Sequence, residues 1–132
     1  MIKLVFQYVQ GCLFRMKELL RGNIVLASKV VGLSRIRLGT NVYISGNSRI
    51  VSETNGGIVV GNNCKIGTMT IVEDRGGSIT IGDNTAINSF CVLYGHGGLR
   101  IGKNVLIATH VLLIPANHNF SDPNRLIREQ GE

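Results

Sequence analysis

The chain has 132 residues and a formal charge of +6, enough for one domain with no second sizeable core. Seventeen glycines beside two prolines and no tryptophan exclude a helix-rich globule, whose elements would not tolerate so much backbone entropy loss. The basic residues are scattered without a run of five and with few aromatics between them, so nucleic-acid binding is not expected, and an anionic small molecule or membrane surface fits the charge better.

The first element, residues 1–22, has apolar residues three and four apart (Ile2, Val5, Phe6, Val9, Leu13, Met16, Leu20), with Lys17 and Arg21 near its end and Gly22 beyond. This spacing predicts an amphipathic helix. Its expected role is to cap the first turn of whatever follows, the alternative being peripheral contact with a membrane or partner. Its apolar run is too short and too interrupted to span a bilayer. Cys12, Cys64 and Cys91 are an odd set without metal-ligand spacing, which points to a reducing, cytoplasmic setting rather than a disulfide framework.

From residue 23 to residue 115 one segment returns four times: Ile36 to Val42, Ile58 to Cys64, Ile79 to Thr85 and Leu99 to Val105, at intervals of 22, 21 and 20 residues. A recurring period of this size marks a solenoid of stacked coils. Within each interval an aliphatic residue recurs every sixth position, as in Val60, Ile66 and Val72 or Ile81, Ile87 and Leu93. Three such steps make a triangular coil of three short strands, and the residue four places further on is small or apolar, as a narrow interior demands. The surplus residues fall at Asn55-Gly56-Gly57, Gly76-Gly77 and Gly97-Gly98, so one corner carries a bulge. The in-phase Asn41, Asn63, Asn84 and Asn104 suit a left-handed corner, which asparagine and glycine tolerate. The fold class is therefore all-β, a parallel β-helix with an N-terminal amphipathic helix. Its interior is too thin for a ligand, so function must lie on faces, loops or surfaces between subunits.

The Ile-Gly and Leu-Gly repeats, followed by Pro115-Ala116-Asn117-His118-Asn119-Phe120 and Ser121-Asp122-Pro123, resemble the hexapeptide-repeat acetyltransferases over about residues 23–132. The nearest subgroup is the sugar O-acetyltransferases of capsule, colanic acid and lipopolysaccharide assembly. The resemblance implies a left-handed β-helix, a homotrimer with active sites between subunits, acetyl coenzyme A as donor, no metal, and a sugar or sugar-lipid hydroxyl as acceptor. It also implies that His118, on the loop 116–132, is the general base, since imidazole titrates close to neutral pH.

Acceptor binding falls by the same resemblance to Asn88, thirty residues before His118, while a carboxylate that relatives carry near Gly95 and His96 is missing; His96, just before the Gly97-Gly98 bulge, and Asn117 are further candidates for substrate binding. Asp122 is expected either to orient the His118 imidazole or to serve the turn at Pro123. The cofactor-binding coils of relatives are expected beyond Glu132, so the chain reads as truncated before its C-terminal coils. Two other classes stay open. One is a zinc enzyme of the carbonic anhydrase branch using His96, His110 and His118, whose spacings of fourteen and eight do not match that branch. The other is a non-catalytic scaffold.

Overall fold

The computed structural model describes residues 12–13, 18–19, 21–25, 28–53 and 55–131. The helix expected over residues 1–22 lies for most of its length outside them. The rest is a parallel β-solenoid of about four turns. Among the described residues fourteen short strands follow in chain order. They are β1 (Ile24–Val25), β2 (Lys29–Val31), β3 (Ile36–Leu38), β4 (Tyr43–Ile44), β5 (Arg49–Val51), β6 (Gly57–Val60) and β7 (Lys65–Ile66), then β8 (Ile71–Glu73), β9 (Ser78–Ile81), β10 (Ala86–Ile87), β11 (Val92–Tyr94), β12 (Leu99–Ile101), β13 (Leu106–Ile107) and β14 (Leu112–Leu113).

Every third strand stacks on its predecessor. Three all-parallel sheets result, in the orders β1-β4-β7-β10-β13, β2-β5-β8-β11-β14 and β3-β6-β9-β12. The register is the one the repeat demands: Leu38 pairs with Val60, Val60 with Ile81 and Ile81 with Ile101. Because strand side chains alternate between faces, each coil directs its six-spaced aliphatics inward. Ile44, Ile50, Ile66, Val72, Ile87 and Leu93 are all at most 1% exposed, forming one continuous apolar shaft.

The small residues near the corners have a second task beyond fitting. Ser48 donates its hydroxyl to the Gly67 carbonyl at 2.9 Å, and Thr70 donates to Asn88 at 3.0 Å. The Cys91 thiol reaches the Ala108 carbonyl at 3.1 Å, the Cys64 thiol reaches Gly82 at 3.2 Å, and Thr85 donates to Gly102 at 2.9 Å. A corner carbonyl cannot join a ladder, and a buried one without a partner is costly. A short side chain with a donor is therefore what these sites select. Asn23 performs the same task at the N-terminal end, giving its amide to Gly39 at 2.9 Å and taking the Val42 N–H at 2.6 Å.

The first corner, between the β3-type and β4-type strands, holds Asn41, Asn63, Asn84 and Asn104 at φ of 54 to 58°, in agreement with the sequence reading. Each side chain also donates to the next, at 2.9, 3.1 and 3.2 Å, as an asparagine ladder up the prism edge. The second corner, between the β4-type and β5-type strands, was not read from the sequence. Asn47, Met69, Phe90 and His110 occupy the left-handed region there, at φ of 54 to 61°.

At the third, bulged corner, positive φ is expected of the paired glycines, and of these Gly76 and Gly98 adopt it, at 82 and 80°, as does Gly32 at the same corner of the first coil, at 80°. Gly56, Gly77 and Gly97 are required for a different reason. A side chain there would strike the Asp74 carboxylate, the Gly95 carbonyl or the Pro115 carbonyl of the neighbouring coil.

Candidate functional site

The bulged corner joins each β5-type strand to the following β6-type strand, and its turns stack from coil to coil. The fully buried Asp74 holds two of them together. Its carboxylate accepts the Ser52 hydroxyl, the Glu53 N–H at 2.9 Å and the Gly76 N–H at 3.3 Å. The charge is spread over three donors, and Glu53 is fixed to the edge by its own backbone.

Beside Asp74 the turn continues through Arg75 (φ 47°) and Gly76, and the Gly77 N–H closes it on the Asp74 carbonyl at 2.8 Å. The Arg75 guanidinium pairs with Glu73 at 3.2 Å and lies over the Tyr94 ring, 4.0 Å from its centroid. Glu73 is 6% exposed, and its other carboxylate oxygen takes the Arg49 Nε–H. One coil further on, the rings of Tyr94 and His96 are 5.9 Å apart and tilted by 52°. The close approach of Gly97 to Pro115 seats the departing chain against this corner, and Ala116, Asn117 and His118 line the same cleft as His96.

Together these turns wall an open cleft of about 570 Å³. Glu53, Arg75, Tyr94 and His96 of the stacked turns line it together with Ile114, Ala116, Asn117 and His118 of the departing chain. The cleft has an imidazole at its C-terminal end, an aromatic ring and guanidinium at mid-length, and a carboxylate at its far end. It can therefore hold a polar ligand by hydrogen bonds and present one of its hydroxyls to a base.

Of the residues singled out from the sequence, His118, His96 and Asn117 meet in this cleft. Asn88 does not line it. It lies half-buried at the second corner, its N–H donating to Ile107 at 2.9 Å. His110 also stands at the second corner, stacked on Phe90 at 5.1 Å with the rings 12° from parallel.

The Asp122 carboxylate caps its own turn, accepting the Asn124 N–H at 2.9 Å. Gln130 clasps the Asp122 backbone through both its N–H and its carbonyl, at 3.0 and 2.9 Å. Asn119 N–H meets the Gly131 carbonyl at 2.9 Å, so residues 119–131 close into a compact loop that holds its own ends. Among the described residues no group of three His, Cys, Asp or Glu side chains could hold a metal ion, and no helix is long and apolar enough to cross a membrane. Burial pushes the Cys64 thiol up from its ordinary range, so it stays protonated as a packing group.

Glu53, Arg75 and Tyr94 were not anticipated. The signal was present in the repeat itself, since residues 53, 75 and 96 are spaced 22 and 21 apart and occupy one offset of successive coils. In comparisons with protein-family models, with curated proteins and with solved structures, the chain matches none.

Proposed function

We propose that this chain is a hexapeptide-repeat O-acetyltransferase, wound in the left-handed sense of that family. It moves an acetyl group from acetyl coenzyme A to a hydroxyl of a sugar or sugar-lipid. The observation that carries the reading is the meeting of His118, His96 and Asn117 in one polar cleft on the bulged corner. The resemblance of the Asn-His-Asn-Phe loop supplies the reaction class.

In this reading the His118 imidazole takes the proton of the acceptor hydroxyl as its oxygen attacks the thioester carbonyl. The tetrahedral adduct collapses with cleavage of the carbon–sulfur bond, and the coenzyme A thiolate leaves and recovers the proton from the imidazolium. Asn117 and His96 bind acceptor hydroxyls and fix which one faces the base. Asn88, on a different corner of the same chain, belongs to the site of a neighbouring subunit in a homotrimer.

The test is coenzyme A release from acetyl coenzyme A over a panel of saccharides, with wild-type protein and His118→Ala. Loss of a general base lowers turnover about a hundredfold or more. A loss below about tenfold removes His118 from the role, and no acetyl transfer to any saccharide overturns the reading.

A further inference from the structure

Arg75 stands where an arginine is unfavourable. Two successive left-handed residues, at φ 47 and 82°, make a turn that selects asparagine, aspartate or glycine at its first central place. A long side chain there costs about 1 kcal/mol of backbone strain. Such outliers persist where the surroundings over-determine them, and they cluster at sites that use the strained group.

The surroundings of Arg75 have that character. Its guanidinium is held from one side by buried Glu73 and from another by the face of Tyr94, so its direction is set before any ligand arrives. Glu73 is shared: Arg49 takes one oxygen and Arg75 the other. One carboxylate divided between two guanidiniums neutralises neither fully, while the Asp74 carboxylate beside them is turned to the donors of Ser52, Glu53 and Gly76. The Arg75 guanidinium meets Glu73 through Nη2, and the group carries five N–H donors in a fork shaped for oxyanions.

The side chain rises one coil to lie over Tyr94, which brings it within about one further strand spacing, ~4.8 Å, of the coil that leads into His118. That is the scale of a single sugar ring. At the other end, Glu53 occupies the same offset one coil below Arg75 and presents a carboxylate to the cleft.

We propose that the cleft takes an acidic saccharide, with Arg75 binding an oxyanion, a carboxylate or a phosphate ester, carried within about one sugar ring of the acetylated hydroxyl. Arg75 is a specificity-determining residue, and Glu53 closes the far end to a second anionic unit. This rests on reading the cleft as the acceptor site, and binding is measurable without the donor.

The experiment is calorimetric titration of the protein with three probes: glucuronic acid, glucose 1-phosphate and glucose. Each is run on wild type, Arg75→Asn and Glu53→Gln, alongside acetyl transfer to the same sugars. Asparagine suits the left-handed turn, so Arg75→Asn retains the fold while removing the charge.

The expected result is tighter binding of one or both anionic sugars than of glucose, weakened about tenfold or more by Arg75→Asn with glucose unaffected, and strengthened by Glu53→Gln. Which anionic probe responds distinguishes the carboxylate from the phosphate. Equal binding of acidic and neutral sugars, or an anion preference that survives Arg75→Asn, overturns the proposal. Anion binding that depends on Arg75 but is accompanied by no acetyl transfer to any sugar leaves the proposal standing and sinks the acetyltransferase reading. Acetyl transfer without acid preference does the reverse.

Discussion

Two edges of the same prism are built on opposite principles. On the first corner four successive coils contribute an equivalent asparagine in an equivalent conformation, and the side chains of Asn41, Asn63 and Asn84 each donate to the next. On the bulged corner the same offset holds Glu53, Arg75 and His96 in turn, and the polar contacts differ at every level. A self-complementary ladder gains from identity between coils, because each side chain satisfies the one below. A binding edge needs different groups at different heights. Sequence repetition thus reports stability, and its interruption at a fixed offset reports chemistry.

The largest expected effect tests how tightly the regular edge is packed. A Cβ at Gly82 would lie 2.6 Å from the Gly102 carbonyl carbon and 2.7 Å from the Lys103 nitrogen, both backbone atoms of the next coil, whereas a Cβ at Gly102 meets nothing closer than a Val105 methyl at 4.0 Å. Gly82→Ala is expected to cost about 3 kcal/mol, because two coils must separate to admit one methyl group. Gly102→Ala is expected to stay within about 0.5 kcal/mol. Chemical denaturation of both variants decides it. Equal losses at the two sites would mean that close approach of neighbouring coils is not what requires glycine here.

The second corner supplies a smaller effect of opposite sign. Met69 has a φ of 54° and is 51% exposed, so it carries left-handed strain without much packing in return. Met69→Asn is expected to raise stability by about 0.5 kcal/mol, asparagine being the residue type that accepts this conformation best after glycine. The converse change, Asn63→Met on the first corner, is expected to destabilise by about 1 kcal/mol or more, since it adds the strain and removes two rungs of the ladder. Thermal unfolding of the pair checks the signs. A destabilised Met69→Asn variant would show that Met69 is held by contacts rather than merely tolerated.

These corners also explain what could be read in advance. The period, the three-sided coil, the interior aliphatics and the first corner were legible because the same residue types recur: Ile or Val inward, Gly-x-Asn at the turn. The second corner was missed because its conformation is conserved from coil to coil while its residues are not. Asn47 fits the left-handed region, but Met69, Phe90 and His110 do not advertise it.

At the bulged corner the histidine and asparagine of the last loop were recognisable by resemblance. Arg75, Glu53 and Tyr94 were not, since a charged residue beside glycines reads as a solvated turn. What makes Arg75 distinctive is its fixation by Glu73 and Tyr94. Such a contact between coils becomes visible only once the register is known. For Asp122 the sequence leaves two roles open, and its carboxylate accepts the Asn124 N–H of its own turn.

The smallest expected effect concerns the first edge again, where a column beside the asparagine ladder ends in charge. Thr40 N–H donates to the Asn62 side chain at 2.9 Å, Asn62 N–H donates to the Asp83 carboxylate at 2.9 Å, and Lys103 pairs with Asp83 at 3.0 Å. The Asn62 N–H first, then Lys103, hold the Asp83 carboxyl below its ordinary range. A carboxyl depressed in the folded state stabilises the fold above its unfolded pKa of about 3.9. That contribution is lost as pH falls through the lower, folded value. The lever is weak because the group is exposed and screened by solvent and salt. Wild type should therefore lose more stability below about pH 4 than Asp83→Asn, which keeps an acceptor for Asn62 but has no proton to gain. Unfolding curves taken across that acid range for the two proteins make the comparison. Parallel acid limbs would show that Asp83 serves the edge through its shape, as the asparagines beside it do, and not through its charge.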